Sequence, residues 1–401
     1  MDNRQNVIEL SNQADVLIVG TGFTGATYAH LFAKQGFKVL MIDKRDHIAG
    51  NAYTERKNGI DVHKYGAHIF HTPNEKIWDF VNKFANFNDY RHKVLARCMN
   101  KIYSLPFTLK TLSEIYDRSF EPSQARDFMK KVIDYDMQMA NISSPSNLEE
   151  KAISLVGKKV YETLIRDYTA KQWKVRPNEL DKNIITRLPV RYDYNTDYFN
   201  DKYQGIPIDG YTKLILNMID GPQIKFVTGV DYFSIRDDIS KKPFVIYTGP
   251  IDKYFDYRFG PLKWRSVQFE TLELTDIDSA IGTAVMNYCD YTVPYTRVIE
   301  HKYFNPLPEA KGTIVSFESS CDPDESKGID PYYPIDLKDQ REILKQYEDL
   351  KNIYDARVHI CGRLGDFKYY DMHQAIGIVF KDFYDVEQRA KIHLDNTRTA
   401  R

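Results

Sequence analysis

The sequence lacks any apolar stretch that approaches the roughly 18–20 residues needed to span a bilayer. Its first segment, MDNRQNVIELSNQAD, is polar and contains no signal-peptide core, so we expect a cytoplasmic protein. Opposite charges almost cancel, because 55 Lys and Arg residues stand against 56 Asp and Glu residues for a formal net charge of −1. We therefore expect no general attraction to nucleic acid or to a membrane.

Cysteine is scarce and unpatterned. The chain of 401 residues has 4 cysteines (Cys98, Cys289, Cys321 and Cys361) and no CxxC pair, which predicts free thiols. Signatures of a protein nucleophile are also missing, since there is no GxSxG elbow and no paired-carboxylate pattern.

Tyrosine, in contrast, is abundant. The chain has 29 Tyr, 22 Phe and 3 Trp, which make 13% of its residues aromatic. A tyrosine combines a flat apolar ring with a hydroxyl, which suits a pocket for a flat and polar ligand. An ordinary aromatic-rich core would give the same composition, so both interpretations stay open. The length predicts two or three lobes.

A dinucleotide-binding pattern lies near the start. The apolar run Val16–Val19 is followed by a glycine turn, a helical stretch over 26–35, a second apolar run at Val39–Ile42, and Asp43. In a strand–turn–helix of this kind, Gly20 allows the tight turn, Gly22 admits a pyrophosphate, and Gly25 lets helix and strand pack closely. Asp43 is placed to accept hydrogen bonds from ribose hydroxyls. Dinucleotide binding is the prediction.

The rest of the chain contains a region with a helical pattern and a region with a strand pattern. Residues 84–173 are mostly helical in pattern, and residues 264–319 read as strands of an antiparallel sheet. The run Phe244–Tyr247 predicts an inner strand of the nucleotide-binding lobe, and residues 358–363 repeat the strand–turn theme before a helix from about Met372. The nucleotide-binding lobe is therefore predicted to be discontinuous and assembled from three stretches.

Three histidines lie within one short segment: His63, His68 and His71. Their spacings of five and three fit no common zinc pattern, and no cysteine or carboxylate completes a set nearby, so no metal is predicted. Gly66, which lies between His63 and His68, suggests that the backbone there closely approaches a flat ligand. A turn whose histidines are all hydrogen-bonded internally is the structural alternative.

Arginine recurs beside tyrosine. Arg187 precedes Arg191 and Tyr192, Arg297 follows Tyr295, and Arg363 precedes a Tyr-Tyr-Asp run ending at Asp371. Two arginines that converge on a pyrophosphate would hold a nucleotide-linked substrate, because the guanidinium fork binds phosphate oxygens bidentately. Solvated surface arginines are the alternative for any one of them alone.

From Val16 to about Tyr384 the sequence resembles the bacterial UDP-galactopyranose mutases. The stretches that carry this resemblance are NAYT from Asn51, HKYGAHIFHT from His63, YTAKQW from Tyr168, YQGIP from Tyr203, GYTKL from Gly210, YTGPID from Tyr247, YFDYRFG from Tyr254, VPYTRVIEH from Val293, PYYP from Pro331, GRLG from Gly362 and YYDMH from Tyr369.

The resemblance implies an α/β fold with a discontinuous Rossmann-like FAD-binding domain, an inserted helical domain and an antiparallel β-sheet substrate domain. The FAD-binding domain is expected at 14–89, 209–262 and 355–401. The helical domain, carrying substrate and dimer surfaces, is expected at 90–174. A mobile lid and the sheet domain are expected at 175–208 and 263–354.

The implied activity is an isomerase that interconverts the pyranose and furanose forms of a nucleotide-linked hexose, with UDP-galactopyranose as the expected substrate, for cell-surface polysaccharide synthesis such as O-antigen. In this family N5 of reduced FAD attacks the anomeric carbon as the nucleoside diphosphate leaves. The sugar ring then opens and recloses as the furanose with no net redox change, which is covalent catalysis by the cofactor.

The resemblance also assigns residues. Flavin contacts fall on Gly20, Gly22, Phe23, Gly25, Asp43, Lys44, Asn51, His68, Arg363, Asp371 and Met372. Substrate contacts fall on Tyr168, Thr169, Trp173, Arg187, Tyr198, Arg297, Tyr333, Tyr369 and Asp371, and catalytic roles on Arg187, Arg297, His71 and Tyr369. Arg187 is expected on a mobile lid, where it pairs with Arg297 to clamp the diphosphate.

The sequence departs from the family pattern at four places. Ala49 and Lys174 stand where glycine is usual, and Leu164 and Ile165 stand where many relatives carry phenylalanines that pack on uracil. The last two leave dTDP-fucopyranose and UDP-N-acetylgalactopyranose open as substrates, although His71 favours an unacetylated hexose. A flavin amine oxidase and a non-catalytic flavin-binding module stay open as less favoured functions. Relatives are often homodimers, but no interface can be read from this sequence.

Overall fold

The computed structural model describes residues 3–185, 190–335 and 337–399. The strands, in chain order, are β1 (Val16–Val19), β2 (Val39–Ile42), β3 (Thr54–Lys57), β4 (Ile60–His63), β5 (Phe70–Thr72), β6 (Val94–Cys98), β7 (Lys101–Leu105), β8 (Tyr203–Gly205), β9 (Ile224–Val227), β10 (Phe244–Tyr247), β11 (Trp264–Leu274), β12 (Val285–Tyr288), β13 (Arg297–Glu300), β14 (Thr313–Cys321), β15 (Tyr333–Pro334) and β16 (Val358–Ile360).

The helices, in the same order, are α1 (Asn3–Gln13), α2 (Phe23–Lys34), α3 (Glu75–Val81), α4 (Leu109–Tyr116), α5 (Pro122–Met139), α6 (Leu148–Val156), α7 (Lys158–Val160), α8 (Arg166–Trp173), α9 (Gly210–Met218), α10 (Ile251–Tyr254), α11 (Lys338–Ile353), α12 (Gly362–Gly365) and α13 (Met372–Thr399). A π-helical turn, Tyr161–Ile165, joins α7 to α8.

A parallel sheet forms the first layer, in the strand order β16-β10-β1-β2-β9. The sequences VLIV, VLMI and FVIY of β1, β2 and β10 are apolar throughout because helices cover both faces of such a sheet. Phe32 of α2 is fully buried with Val379 of α13 in the core on one face. Burying one such ring contributes roughly 1.5–3 kcal/mol. The predicted inner strand Phe244–Tyr247 is confirmed as β10, between β1 and β16.

A second, mostly antiparallel sheet has the order β15-β11-β14-β13-β12-β6-β7. The long strands β11 and β14 pair over their length, from Ser266 opposite Cys321 to Leu274 opposite Thr313. The strand β6 joins this sheet parallel to β12. The α/β fold with a Rossmann-like part and an antiparallel sheet is thus confirmed.

The hairpin β6–β7 lies in a stretch whose pattern predicted mostly helix. Its turn residues Met99 and Asn100 both have positive φ, 46° and 62°, which is the geometry of a tight two-residue hairpin. The alternation of buried and exposed residues along β6 is the period-2 signal of a half-buried strand. That signal covers only five residues, and the longer helical pattern on either side obscured it.

The helices α4–α8 and the β6–β7 hairpin pack around a second core, which includes Ala96, Leu112, Met129 and Val160. The division of the chain into three domains with the expected boundaries stays a prediction.

All four cysteines, each within the described residues, are free thiols. Among the helices of the described residues, none combines the length and the apolarity that a membrane crossing requires.

Candidate active site

A cavity of about 1730 Å³ is lined by residues of both sheets. Its floor includes Gly20, Asp43 and Thr248, which follow the carboxyl ends of β1, β2 and β10, where open α/β sheets bind their ligands. Its other walls include Arg297 and Glu318, from strands β13 and β14 of the antiparallel sheet. A cavity of this size has room for more than one ligand of the usual 300–1,000 Å³ class.

The glycine turn fits a dinucleotide pyrophosphate. Gly20 has a φ of +105°, and a Cβ on it would lie 2.1 Å from Thr248 Oγ1. A Cβ on Gly25 would lie 2.0 Å from the carbonyl oxygen of Gly20, so helix and turn could not pack with any side chain there. A Cβ on Gly22, the N-cap of α2, would meet only Gly50 Cα at 3.9 Å, so the space above it is open to a ligand. No side chain caps this helix N-terminus within the described residues, which leaves its N–H groups for phosphate oxygens.

Asp43 supports the same turn. Its Oδ2 accepts hydrogen bonds from the backbone N–H of Thr21 at 2.9 Å and from the Thr21 hydroxyl at 2.7 Å. Its Oδ1 accepts from the backbone N–H of Arg45 at 3.1 Å. A carboxylate has about four acceptor positions, so one is left for a ribose hydroxyl. The role that the sequence predicted for Asp43 stays a prediction, and the carboxylate in addition holds the glycine turn in shape.

The segment after β2 forms the next part of the wall. Lys44 and Arg45 both pair with Asp330, and Arg45 Nη2 donates to Asn51 Oδ1 at 2.8 Å. The Arg45 guanidinium also lies 4.2 Å from the ring centroid of Tyr65. The predicted flavin contacts Lys44 and Asn51 therefore line the cavity with a network that joins them to the loop before β15.

Of the three clustered histidines, His68 and His71 line the cavity and His63 does not. His63 is buried and stacks on Phe304, with ring centroids 4.6 Å apart. The ring of His68 hydrogen-bonds the Gly66 carbonyl at 2.7 Å, and burial lowers the pKa of His68 to about 4, so its ring is neutral at physiological pH. His71 is buried beside Asp371, whose Oδ2 lies 3.9 Å from His71 Nε2. Arg363, Asp371 and Met372 complete this wall.

Arg297 stands at the centre of the opposite wall. Its Nη2 donates to the hydroxyl of Tyr168 at 3.3 Å, and its Nη1 lies 3.5 Å from Glu318 Oε2. Burial alone would lower the pKa of Arg297, but the Glu318 carboxylate more than offsets this and the pKa is raised well above its usual value. Burial raises the pKa of Tyr168 to about 12, so its hydroxyl stays protonated. A permanent cation and hydroxyl donors thus face the cavity together.

Of the predicted diphosphate tyrosines, Tyr333 lies near enough to that cation for its charge to act on the Tyr333 pKa. Tyr333 and Tyr369 stack with ring centroids 5.8 Å apart, and burial raises the pKa of Tyr333. Tyr198 is 41% exposed, and its ring contacts that of His92 edge-on at 5.4 Å. All three tyrosines line the cavity.

The C-terminal end of α8 is fixed by two side chains. Arg265 Nη2 donates to the Trp173 carbonyl at 2.7 Å, and the Ser320 hydroxyl donates to the Gln172 carbonyl at 2.5 Å. Lys174 then ends the helix with a φ of +57°, the left-handed conformation in which glycine is common. Trp173 lines the cavity, whereas Thr169 is buried and lies outside its wall.

Some residues that the sequence placed at the site lie outside the described residues or away from the cavity. Arg187 lies outside the described residues, so its place on a lid stays a prediction. Leu164 and Ile165 are buried in the core formed by the helices, at 5% and 6% exposure, and do not line the cavity. Neither side chain therefore makes a direct contact in this wall, and their effect on substrate choice stays a prediction.

Sequence reasoning missed two residues of the wall. His92 is 5% exposed, and burial lowers its pKa to about 3, which keeps the ring neutral beside Arg297. Glu318 is the direct register partner of Arg297 in the β13–β14 ladder. Neither belongs to a motif in the sequence: His92 lies between Arg91 and Lys93, and Glu318 precedes Ser319. Only the folded chain brings them to the site.

A buried lysine was missed as well. Lys171 Nζ donates to the carbonyls of Tyr288, Val293 and Tyr295 at 2.7, 3.2 and 2.9 Å. Burial lowers its pKa to about 8. The lysine ties the helix that carries Tyr168 to the loop that leads into Arg297.

His71, Asp371 and His373 bring one potential ligand atom each within 4.8 Å of one another. His71 belongs to the segment for which no metal was predicted, but its two neighbours here come from the C-terminal part of the chain. The expectation of no metal stays a prediction.

Comparison with known proteins adds to this geometry. A family model described as UDP-galactopyranose mutase matches residues 163–369, and a model described as NAD(P)-binding Rossmann-like domain matches residues 18–84. The dTDP-fucopyranose mutase of Escherichia coli is 42% identical over 369 residues, which cover 90% of this chain and 95% of that protein. The chain belongs to the UDP-galactopyranose mutase family.

Two further relatives agree with this assignment. A probable UDP-galactopyranose mutase of Klebsiella pneumoniae is 37% identical to this chain over 375 residues, which cover 92% of this chain and 94% of that protein. A crystal structure of reduced UDP-galactopyranose mutase has the same fold, with a TM-score of 0.69 over 92% of this chain and 93% of the other at 15% identity. Membership in this family, together with the Rossmann-like match, indicates a flavin cofactor and a nucleotide-sugar substrate.

Proposed function

We propose that the protein is an FAD-dependent mutase that interconverts the pyranose and furanose forms of a nucleotide-linked hexose, with UDP-galactopyranose as substrate. One observation carries this proposal. A single cavity joins the glycine turn for a dinucleotide to the wall of Arg297, Tyr168 and Tyr333. A cofactor and a diphosphate-linked substrate can therefore lie in contact.

The described residues fit a flavin dinucleotide. Gly22 and the free N-terminus of α2 would hold its pyrophosphate, and Asp43 its ribose. His68, Arg363 and Met372 would lie along the rest of the cofactor. When bound and reduced, the flavin would supply the nucleophile for the anomeric carbon, with no net redox change.

The protein's own contribution is to hold the diphosphate. Arg297 keeps its positive charge, and Tyr168 and Tyr333 keep their protons, because the pKa of each group is raised. Charge-assisted hydrogen bonds from such groups are worth roughly 1.5–3 kcal/mol each. They stabilise the leaving diphosphate and hold it close enough to return to the sugar. Arg187 is the second arginine of this clamp in our proposal.

A second substrate is favoured by a specific observation. The relative at 42% identity is named dTDP-fucopyranose mutase, whereas relatives named for UDP-galactopyranose are at 37% and 29%. The reaction type is the same, and the two substrates differ in the base, in the 2′-hydroxyl of the nucleoside and in the C6 hydroxyl of the hexose. dTDP-fucopyranose is therefore the second candidate.

The experiment is a panel of UDP-galactopyranose, UDP-N-acetylgalactopyranose and dTDP-fucopyranose offered to the purified protein before and after reduction with dithionite. We expect yellow protein, furanose product only after reduction, and the highest kcat/KM with UDP-galactopyranose. Highest kcat/KM with dTDP-fucopyranose would select the second candidate.

Two outcomes would overturn the mutase proposal. Release of hydrogen peroxide from an amine without isomerisation would indicate an amine oxidase. Absence of both turnover and any substrate-induced change in the spectrum of the reduced protein would indicate a flavin-binding module. The predicted cytoplasmic location belongs to this proposal and is tested by fractionation.

A further inference from the structure

His71 is held by a segment that no sequence motif singled out. The short strand β5 carries His71 and pairs antiparallel with β8, so that Gln204 is the direct partner of His71 in the ladder. The chain immediately before β8 passes over the imidazole. Asp201 Oδ2 lies 2.5 Å from His71 Nδ1, and the ring of Phe199 stacks on the imidazole with centroids 3.7 Å apart and planes at 11°.

Gln204 fixes that overlying segment. Its side-chain Nε2 donates to the carbonyl of Asp201 at 2.9 Å and to the carbonyl of Phe199 at 3.3 Å. The side chain is buried, at 6% exposure, so these bonds are protected from water. One amide thus positions both groups that touch the imidazole: the aromatic ring on its face and the carboxylate at its edge.

The carboxylate determines which nitrogen of His71 carries a proton. An ionised Asp201 can only accept, so His71 Nδ1 must donate to it. The other nitrogen, Nε2, lies 3.9 Å from Asp371 Oδ2, which is beyond hydrogen-bond distance. His71 lines the cavity, so this edge of the ring is left for a ligand.

We propose that Asp201 is a positioning residue that, with Phe199 and Gln204, fixes the tautomer and ring plane of His71 so that Nε2 meets the bound ligands. The proposal rests on the proposed function for the identity of those ligands, the reduced flavin and the hexose. Asp201 itself does not line the cavity, so it acts on the ligands through His71. The arrangement is a carboxylate–imidazole pair, in which the carboxylate orients the ring and selects its tautomer.

The test is Asp201→Asn in the full-length holoprotein. The amide can donate to Nδ1, which favours the opposite tautomer. Nitrogen-15 NMR of histidine-labelled protein, with the His71 signals identified by their loss in His71→Gln, reads the tautomer directly. We expect an Nδ1-protonated ring in the parent protein and loss of that state in Asp201→Asn. An unchanged tautomer in both Asp201→Asn and Asp201→Leu, whose side chain can neither accept nor donate, would overturn the proposal.

Turnover provides the second readout. We expect Asp201→Asn to lower kcat by roughly 10- to 100-fold with a smaller change in KM, since the ring moves but the diphosphate clamp does not. In a His71→Gln background the same substitution should have almost no further effect. A full additional loss there would show that Asp201 acts independently of His71 and would overturn the proposal.

Glu75→Gln is the matched control. Glu75 is an exposed carboxylate that accepts from the hydroxyl of Tyr203 in the same strand pair at 2.7 Å, and its substitution should change neither the His71 signals nor kcat. The NMR readout needs no substrate. If the mutase reaction itself is not observed, the tautomer still confirms or overturns the role of Asp201, so failure of the two proposals can be told apart.

Discussion

Arg297 and Glu318 face each other as direct partners across the β13–β14 ladder, with Nη1 and Oε2 3.5 Å apart. The carboxylate is almost fully buried, and its charge is balanced by the guanidinium that lines the cavity. Glu318 therefore holds the arginine in place and keeps it ionised. Because this ion pair is neutral as a whole, binding of a diphosphate also depends on uncharged hydroxyl donors, which Tyr168 and Tyr333 provide.

Substitution of Arg297 tests this wall. We expect Arg297→Ala to retain bound flavin, seen by absorbance, and to lose about 10²- to 10³-fold in kcat, which is typical for removal of one charge-stabilising donor. Arg297→Lys should recover little, because an ammonium lacks the guanidinium fork. Arg97→Ala, on strand β6 of the same sheet, is the control and should turn over normally. Near-normal turnover of Arg297→Ala would remove this residue from the diphosphate clamp.

The glycine turn gives a second prediction. Gly25→Ala would place a Cβ 2.0 Å from the Gly20 carbonyl oxygen, so the turn must open and the flavin should be lost on gel filtration. Gly221→Ala is the matched control, since its Cβ would meet nothing within 4 Å and the protein should stay yellow. Full flavin occupancy in Gly25→Ala would show that this turn does not hold the pyrophosphate.

The two positions at which the resemblance leads us to expect glycine, Ala49 and Lys174, both have a left-handed backbone conformation. Ala49 and Lys174 have φ values of 73° and 57°, in the left-handed region that costs a non-glycine residue roughly 1 kcal/mol. We expect Ala49→Gly and Lys174→Gly each to raise the free energy of unfolding by about 0.5–1 kcal/mol, measured by urea titration.

Ala52→Gly serves as the control for that pair. Ala52 has an ordinary backbone conformation two residues before β3, so glycine there should lower stability by about 0.5–1 kcal/mol through its larger freedom in the unfolded chain. A loss of stability in Ala49→Gly would contradict our explanation of this site.

Buried histidines predict a loss of stability in acid. Burial lowers the pKa of both His92 and His301 to about 3, whereas an unfolded histidine titrates near 6.5. Their contribution is fully present above pH 6.5 and is lost as the pH falls toward 3. Over that window each adds roughly 1.4 kcal/mol per pH unit to the slope of stability against pH.

His301→Gln and His301→Phe test that slope by urea unfolding between pH 4 and 7. Both variants remove the titrating group, so both slopes should fall by about 1.4 kcal/mol per pH unit. Their stabilities at pH 7 should differ, because only the glutamine can hydrogen-bond Ser316 as His301 does. Slopes equal to that of the parent protein would contradict the assignment of a neutral, buried His301.

The parts of the site that lie in one stretch of chain could be predicted. The glycines from Gly20 to Gly25 and the acid Asp43 form a local pattern whose spacing follows from the strand–turn–helix geometry, and all of them line the cavity. The resemblance added single residues such as Tyr168 and Arg297, which also line it.

Residues that reach the site through pairing of distant strands could not be predicted. Glu318 meets Arg297 only through the register of β13 and β14, and Asp201 meets His71 only because β8 pairs with β5. His92 reaches the cavity from the chain before β6, and nothing in its neighbours in sequence marks it. Such contacts depend on a one-residue choice of register, which no local pattern specifies.

The strand order β16-β10-β1-β2-β9 has a consequence for how the protein is made. The glycine turn follows β1 within the first 25 residues, but its neighbours β10 and β16 are synthesised much later, at Phe244–Tyr247 and Val358–Ile360. Pairing over such long separations folds slowly, and a ribosome adds only about 5–20 residues per second. The strands β1 and β2 therefore stay incompletely covered until the chain has been synthesised as far as β16. Cofactor loading is then a late step that coincides with closure of the sheet.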